Sequence, residues 1–245
     1  MRKIHIVTHC WSELKALYST CLRMQLSSLV KWKPKNVEVH FTLCTADTDD
    51  RSLLVFQKFL EFLPNLRLRA MKKQDVWRRA IGRNRSTFGH RSSEFDLVWF
   101  ADCDYLFGEG CLDALLEIWE ENERPALMWP GTYLANWPDK RPLDEFIKQH
   151  ENTAGLLMPD LSTFVSRKCP RAVGGVQIAS GKYCEKHGYL QGTKWMEPVE
   201  TPFPDFRDDI HFRETAFRTG AAAKIILPNV YRLRHTDVGY GSETN

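Results

Sequence analysis

The stretch that decides the fold is Asp96-Leu97-Val98-Trp99-Phe100-Ala101, followed at once by Asp102-Cys103-Asp104. A continuous apolar run of this kind is typical of a central strand in a parallel sheet, because such a strand is buried on both faces. In open α/β sheets, ligands bind beyond the carboxyl ends of the strands, which is where the two carboxylates project. The stretch therefore predicts an α/β protein with a polar site at the end of its central strand.

The residues around this run alternate between strand and helix patterns. Apolar residues at every second position predict strands at 4–8, 37–43 and 66–70. Apolar residues at helical spacing predict helices at 14–29, 51–63 and 111–121. Strands and helices in this order predict a parallel sheet with right-handed crossovers.

The second half of the chain is less regular. Residues 125–142 are rich in proline, tryptophan and tyrosine and predict a loop-rich stretch. The segment 209–219 predicts a helix ended by Gly220, and two short strands are predicted at 224–227 and 230–233. We expect one domain over residues 1–245, with a nucleotide-type first half and an irregular second half that shapes a substrate pocket.

The composition is that of an ordinary globular protein. Of the 245 residues, 43% are hydrophobic and 27% charged, and the net charge of +3 is too small to indicate a nucleic-acid partner by itself. No window has the roughly 18 uninterrupted apolar residues of a membrane span, and the N-terminus does not resemble a secretory signal. The seven cysteines include no Cys-x-x-Cys pair, which favours a reducing compartment. We expect a cytoplasmic protein, or one of the host cytoplasm if the source is viral.

The acidic turn Asp102-Cys103-Asp104 is the sharpest candidate for chemistry. Two carboxylates between apolar segments repel each other unless a cation lies between them. A divalent cation with hard-oxygen preference, Mg²⁺ or Mn²⁺, removes that repulsion. The alternative is a polar turn in which Asp104 caps a helix, with Cys103 as a spacer.

Four further motifs follow in a fixed order along the chain. They are the Thr8-His9 turn after the first strand, Asp47 after the second, Arg83-Asn84 before the central strand, and Asp208-Asp209 at the start of a late helix. Together with the acidic turn, this order resembles the inverting, metal-dependent glycosyltransferases of the GT-A fold, the SpsA-like group of family 2 type. The resemblance covers residues 3–220 and implies a Rossmann-like, mostly parallel sheet flanked by helices.

The resemblance implies a nucleotide-sugar site in about residues 1–125 and an acceptor side in about residues 126–245. The residues implied to bind the nucleotide sugar are Thr8 and Asp47 near the base, Arg83 and Asn84 near the ribose or diphosphate, Asp102 near the ribose and metal, and Gly174, Gly175 and Gln177 near the sugar. The implied donor is a nucleoside-diphosphate sugar, with a uridine diphosphate sugar favoured.

The same resemblance implies the metal ligands and the catalytic base. Asp104, with Asp102 and the late His235, is implied to bind Mn²⁺ or Mg²⁺. Asp209 is implied to be the general base of an inverting hexosyl transfer, although Asp208 stands where the family has glutamate. The pattern leaves open which of the two is the base.

Each assignment has a plainer alternative. Asp208 or Asp209 could cap the helix that follows, since acids are favoured at helix N-termini. His235 could be a surface histidine, and Asp47 only a turn residue. Trp129 and Trp195 could stack on sugars at the acceptor side, but buried tryptophans need no ligand.

A basic stretch at residues 67–91 raises the question of the acceptor. It contains nine lysines and arginines against the single acid Asp75, which is more charge than one diphosphate needs. The stretch is either a solvated basic face or a surface for a polyanion, and nucleic acid is the obvious candidate. A hydroxymethylated DNA base, as in phage-type DNA modification, is therefore a minority prediction for the hydroxyl acceptor.

Two rival functions stay open from the sequence. A sugar-phosphate nucleotidyltransferase should have a glycine-rich phosphate loop after the first strand, whereas residues 8–12 contain no glycine. A non-catalytic module that binds nucleotide sugars or nucleic acid would use the same acids as structural residues. The sequence does not identify the sugar, the acceptor, the linkage or the oligomeric state.

Overall fold

The computed structural model describes residues 1–89, 92–151, 155–201 and 207–235. A seven-stranded sheet forms its centre. The strands, in their order across the sheet, are β10 (Ala222–Ile225), β6 (Leu127–Pro130), β9 (Gln177–Ser180), β4 (Leu97–Asp102), β1 (Arg2–His9), β2 (Val37–Ala46) and β3 (Leu66–Met71). All are parallel except β9, which runs antiparallel to both of its neighbours. This confirms the predicted mostly parallel α/β sheet.

Helices lie between the strands and cover the sheet. They are α1 (Leu17–Lys31), α2 (Asp50–Phe59), α3 (Lys73–Val76), α4 (Arg79–Thr87), α5 (Cys111–Glu121), α6 (Arg141–His150), α7 (Gly181–His187) and α8 (Asp208–Thr219). No helix in the described ranges is long and apolar enough to cross a membrane.

The central strand β4 has the burial that its apolar run predicts. Leu97, Val98, Trp99, Phe100 and Ala101 are all fully buried. Only its last residue, Asp102, is partly exposed, and this residue is the first of the predicted acidic turn. The core therefore fixes the position of the acidic turn from both faces of the sheet.

A second sheet closes over the same end of β4. Its strands, in order, are β5 (Tyr105–Phe107), β11 (Val230–Arg232), β7 (Thr132–Ala135) and β8 (Val165–Lys168). Because β11 runs antiparallel to β5, the residues after β11 return toward the acidic turn, and Leu233 N donates to Asp104 O at 2.7 Å. The second sheet thus brings residues near 233 to the site.

The prediction of a loop-rich stretch at 125–142 is wrong. The stretch contains β6, β7 and the first two residues of α6. Pro130 is the last residue of β6, so its missing N–H does not interrupt the strand, and Pro142 lies in the first turn of α6, where helices tolerate proline. The strand predicted at 224–227 lies two residues earlier, as β10. Since β6, β9 and β10 belong to the central sheet, both halves of the chain build it.

Candidate active site

Asp102 is the last residue of β4 and lies beside the end of β1. Its register partner on β1 is His9. Below it, Thr8 Oγ1 donates to Gln25 Oε1 and Gln25 Nε2 donates to Asp102 O, both at 2.9 Å. Thr8, predicted near a nucleotide base, is fully buried, so its hydroxyl orients Gln25 under the turn.

Two arginines surround the Asp102 carboxylate. Arg83 Nη2 lies 3.0 Å and Arg79 Nη1 3.4 Å from Asp102 Oδ1. Burial alone raises the pKa of Asp102, but the two guanidinium groups outweigh it and hold that pKa below its usual value. Asp102 is therefore a charged carboxylate already compensated by the protein.

The sequence did not mark Arg79 as a site residue; there it was only one member of the basic stretch. A signal was present, because Arg79 and Arg83 are four residues apart and so lie on one face of α4. That face points at the acidic turn. His9, the second residue of the predicted Thr8-His9 turn, donates from Nε2 to Val76 O at 2.7 Å, and burial together with the charges of Arg79 and Arg83 lowers its pKa to about 4. The imidazole is thus neutral at physiological pH.

Asp104 has a different environment from Asp102. Its Oδ2 is 3.5 Å from Arg232 Nε, whereas its buried Oδ1 accepts no hydrogen bond from any described residue. Burial raises the pKa of Asp104 to about 6, although Arg232 opposes this shift. A buried carboxylate oxygen with no donor is the kind of atom that a cation stabilises.

His235 lies near the same turn. It is buried, follows β11 by three residues, and packs edge-on against the Tyr18 ring at 5.7 Å. In the ranges that the structure describes, no group of three or more histidines, cysteines or acids is close enough to hold a metal. The binding of Mg²⁺ or Mn²⁺ by Asp104, Asp102 and His235 therefore stays a prediction, one that would need diphosphate oxygens or water to complete the ligand set.

Asp208 and Asp209 open α8, and their surroundings differ. Asp208 is buried, its Oδ1 accepts from Arg79 Nη2 at 3.1 Å, and its Oδ2 has no partner among the described residues. Asp209 is half-buried and accepts from Gly174 N at 3.0 Å and from Ile210 N at 2.9 Å. Burial, reinforced by Asp208, raises the pKa of Asp209 despite the opposing charge of Arg79.

A chain of buried hydrogen bonds links the two acidic elements. Arg83 Nη1 donates to Tyr189 Oη at 2.8 Å, and Tyr189 Oη donates to Gln177 Oε1 at 2.9 Å. Gln177 Nε2 then donates to Asp209 O at 2.8 Å. Arg83, Tyr189 and Gln177 are all fully buried. Tyr189 was missed because no local pattern marks it, and it meets these partners only through the fold.

The glycines at 174 and 175 let this segment lie against the acidic turn. A Cβ at Gly175 would overlap the Tyr105 ring and lie 3.0 Å from Asp102 Oδ2, and one at Gly174 would lie 2.8 Å from Arg79 Nη1. Trp99 Nε1 holds the segment by donating to Gly175 O at 3.2 Å. The close approach of backbone to side chain explains why residues without a Cβ stand there.

Asp47 and Asn84 lie at the border of the site. Asp47 is exposed at the end of β2, while its neighbour Asp49 is buried and accepts from Ser12, Thr45 and Ser52. Asn84 is buried and makes two hydrogen bonds. Its Nδ2 donates to Gln191 Oε1 at 2.5 Å, and its Oδ1 accepts from Tyr189 N at 2.9 Å. Asn84 therefore fixes the 189–191 segment, and the role of Asp47 toward a base stays a prediction.

The two tryptophans predicted for the acceptor side lie in different places. Trp129 is on β6 and packs against Phe217, in the last turns of α8 and not at its acidic first turn. Trp195 is buried beside His211, in the first turn of α8, with the ring centroids 5.1 Å apart. Only Trp195 is close to the acidic residues of α8.

The side chains of the basic stretch differ in burial and in ion pairing, which its sequence does not show. Arg83 turns inward and is fully buried, and Arg79 is largely buried beside it. Lys73 pairs with Glu13 at 3.1 Å and Arg85 with Asp75 at 2.6 Å. Arg91 lies outside the described residues. The surface available to a polyanion is therefore smaller than the sequence implies, and a nucleic-acid acceptor stays a prediction.

Comparisons with solved structures identify the fold. The chain matches S. aureus TarS 1–349 with a TM-score of 0.61 at 15% identity, over 95% of this chain and 60% of that one. It matches the same protein in complex with UDP-GlcNAc with a TM-score of 0.61 at 12% identity, over 98% and 62%. A mannosyltransferase, PcManGT from Pyrobaculum calidifontis in complex with GDP-Man and Mn²⁺, matches with a TM-score of 0.58 at 13% identity, over 97% and 58%.

No protein-family model matches the sequence, and neither does any curated protein. The chain spans about 60% of the length of the TarS 1–349 structure. At these identities the matches establish the fold, which confirms the predicted GT-A architecture.

Proposed function

Starting from a GT-A fold, we propose that this chain transfers a sugar from a nucleoside-diphosphate sugar to an acceptor hydroxyl. The observation that supports this most is the meeting of two acidic elements at one end of the sheet. Arg79 contacts both, through Asp102 on the acidic turn and Asp208 on α8. The structures that share the fold include complexes with UDP-GlcNAc and with GDP-Man.

Asp104 is the residue we assign to a divalent cation, with His235 as the second ligand. The support is its buried Oδ1, which has no donor among the described residues. Mn²⁺ or Mg²⁺ bound there supplies Lewis-acid stabilisation of the negative charge that develops on the departing diphosphate. Asp102 is already compensated by Arg79 and Arg83, so we assign it to orienting the turn and the ribose side of the pocket.

Asp209 is the residue we assign as general base. Its partial exposure and raised pKa favour proton transfer, whereas Asp208 is buried in an ion pair with Arg79. Asp209 takes the proton from the acceptor hydroxyl while the oxygen of that hydroxyl forms a bond to the anomeric carbon. The bond from that carbon to the diphosphate breaks, and its electron pair leaves with the diphosphate. Attack from the face opposite the leaving group inverts the anomeric centre.

The donor we favour is a uridine diphosphate sugar, with a hexose as the transferred group. The support is that TarS, which shares the fold, has been solved with UDP and with UDP-GlcNAc. The same fold also accommodates GDP-Man in PcManGT, so the experiment must include both bases.

The test is a panel of UDP- and GDP-sugars, each with Mn²⁺ or with chelator. Donor binding is read by thermal shift and turnover by release of nucleoside diphosphate. We expect one donor to raise the melting temperature only with metal, and Asp104→Asn to abolish that rise. Asp209→Asn should keep the rise and lose turnover. Glu117→Gln, on the exposed face of α5, is the control and should match the parent. If no donor stabilises the chain with either metal, the proposed function is wrong.

A further inference from the structure

Arg78 is a partly buried cation that has no ion-pair partner among the described residues. Its Nε and Nη1 atoms are buried and donate to no acceptor among the described residues. Two other arginines of the basic stretch do have an acid: Arg79 pairs with Asp208 and Arg85 with Asp75. Burying a guanidinium without a carboxylate is costly, because its N–H groups lose water and gain no acceptor. The arrangement leaves Arg78 suited to an anion that comes from outside the chain.

The Arg78 guanidinium lies over a tryptophan ring that two other basic side chains also contact. Its Cζ is 5.1 Å from the centroid of the Trp195 ring, and Lys194 Nζ is also 5.1 Å from a centroid of that ring. The His211 imidazole lies at 5.1 Å on the same indole. Lys194 and His211 are exposed, so solvent reaches this cluster from their side. Cation–π contacts hold the two cations near the indole but do not neutralise them.

The cluster lies at the first turn of α8, the helix that carries the proposed base. Asp208 and His211 are three residues apart on α8 and so share one helix face. Asp208 faces Arg79, and His211 faces Trp195 and through it Arg78. The cluster therefore borders the α8 end of the site, whereas Asp102 and Asp104 mark the other end.

We propose that Arg78, Lys194 and Trp195 form a subsite for an anionic group, a phosphate or a carboxylate, on the acceptor. This inference rests on the proposed function, because it assigns the anion to the molecule whose hydroxyl Asp209 deprotonates. A phosphate or carboxylate oxygen would accept from the guanidinium edge and from Lys194 Nζ. The indole would form the floor of the subsite. The acceptor is thus an anionic hydroxyl compound.

The test follows the indole signal of Trp195 by ¹H–¹⁵N NMR, assigned with Trp195→Phe. Inorganic phosphate and, in a separate arm, acetate are added to the full chain at constant ionic strength. We expect a saturable shift of this signal with at least one of the two anions. Comparing the two arms shows whether the subsite binds phosphate or carboxylate. Arg78→Gln should weaken the binding about tenfold or more, as expected for the loss of a charged hydrogen bond. Lys194→Gln, an exposed position, should weaken it less and guards against misfolding of the Arg78 variant.

The matched control is Arg85→Gln, since Arg85 lies in α4, which begins directly after Arg78, and already has Asp75 as partner. This variant should bind the anion as the parent does. The inference is overturned if neither anion shifts the Trp195 signal, or if Arg78→Gln leaves the shift unchanged. It is also overturned if UDP displaces the anion, because the cluster then belongs to the donor site. No donor or metal is needed for the titration, so a failure of sugar transfer would be seen separately.

Discussion

Arg79 Nη2 lies 3.1 Å from Asp208 Oδ1, and this contact joins α4 to α8 across 129 residues of sequence. Both side chains are largely shielded from solvent. Because Arg79 also contacts Asp102, a single guanidinium sets the spacing between the acidic turn and the first turn of α8. The geometry of the site therefore depends on a buried charge pair.

Replacing Arg79 with glutamine should destabilise the protein strongly. Asp208 would remain buried without its cation, a situation that typically costs about 3–5 kcal/mol. Denaturant unfolding measures the loss. The double variant Arg79→Gln/Asp208→Asn should recover part of it, since both charges are then gone. Equal stability of the single and double variants would contradict this account of the pair.

The rate of sugar transfer should fall as the pH decreases. Asp209 must be ionised to accept a proton, and its raised pKa places the loss of activity above the usual range of an aspartate. The acidic limb of the kcat/KM profile, measured with the donor found in the panel, checks this. Asp209→Asn should reduce kcat by about a hundred- to ten-thousand-fold. If that variant keeps the parent rate, Asp209 is not the base.

Tyr189→Phe should separate hydrogen bonding from packing. The ring stacks on Phe212 at 4.2 Å and would stay in place, but Arg83 and Gln177 would lose their common partner. We expect a loss of about 1–3 kcal/mol in the free energy of unfolding and a lower kcat, because the peptide of Asp209 is held through Gln177.

Tyr183→Phe is the matched control for that change. Tyr183 also packs against Phe212, with the ring centroids 6.0 Å apart, but no described hydrogen bond joins its hydroxyl to the acidic residues. It should lower stability at most and leave kcat as in the parent. Equal kcat values in the two variants would refute a positioning role for Tyr189.

Gly175→Ala should damage the site through the backbone. The added methyl group would overlap the Tyr105 ring and approach Asp102 Oδ2, so the segment must move away from the turn. Overpacking of this kind typically costs about 1–3 kcal/mol. Gly131→Ala is the comparison, since its Cβ would meet the flexible Lys224 side chain at 3.1 Å. Thermal unfolding and donor affinity of the two variants should differ clearly; similar losses would argue against close packing at Gly175.

The sequence predicted the elements that have strong local signals. The apolar run ending at Ala101 and the alternating strands before it correspond to β4, β1, β2 and β3 because burial on a sheet imposes a fixed pattern. The acidic turn also lies where the topology of a parallel sheet places it. These predictions needed no knowledge of distant contacts.

The partners of those acids could not be predicted in the same way. Asp102 and Asp104 look equivalent in the sequence, yet one is compensated by Arg79 and Arg83 while the other has an oxygen without a donor. Tyr189 enters the site through its contact with Arg83, which spans 106 residues of sequence. Short strands such as β6 were missed because four residues are too few to show a period.

The second sheet also sets the order in which the site can assemble. A ribosome makes Asp104 long before Arg232, and domains begin to fold during synthesis from the N-terminus. Only when β11 joins β5 does Arg232 reach the acidic turn, 128 residues after Asp104. A nascent chain that already contains the first five strands therefore has Asp104 without its arginine partner. That acid acquires its protein countercharge only in the last steps of folding.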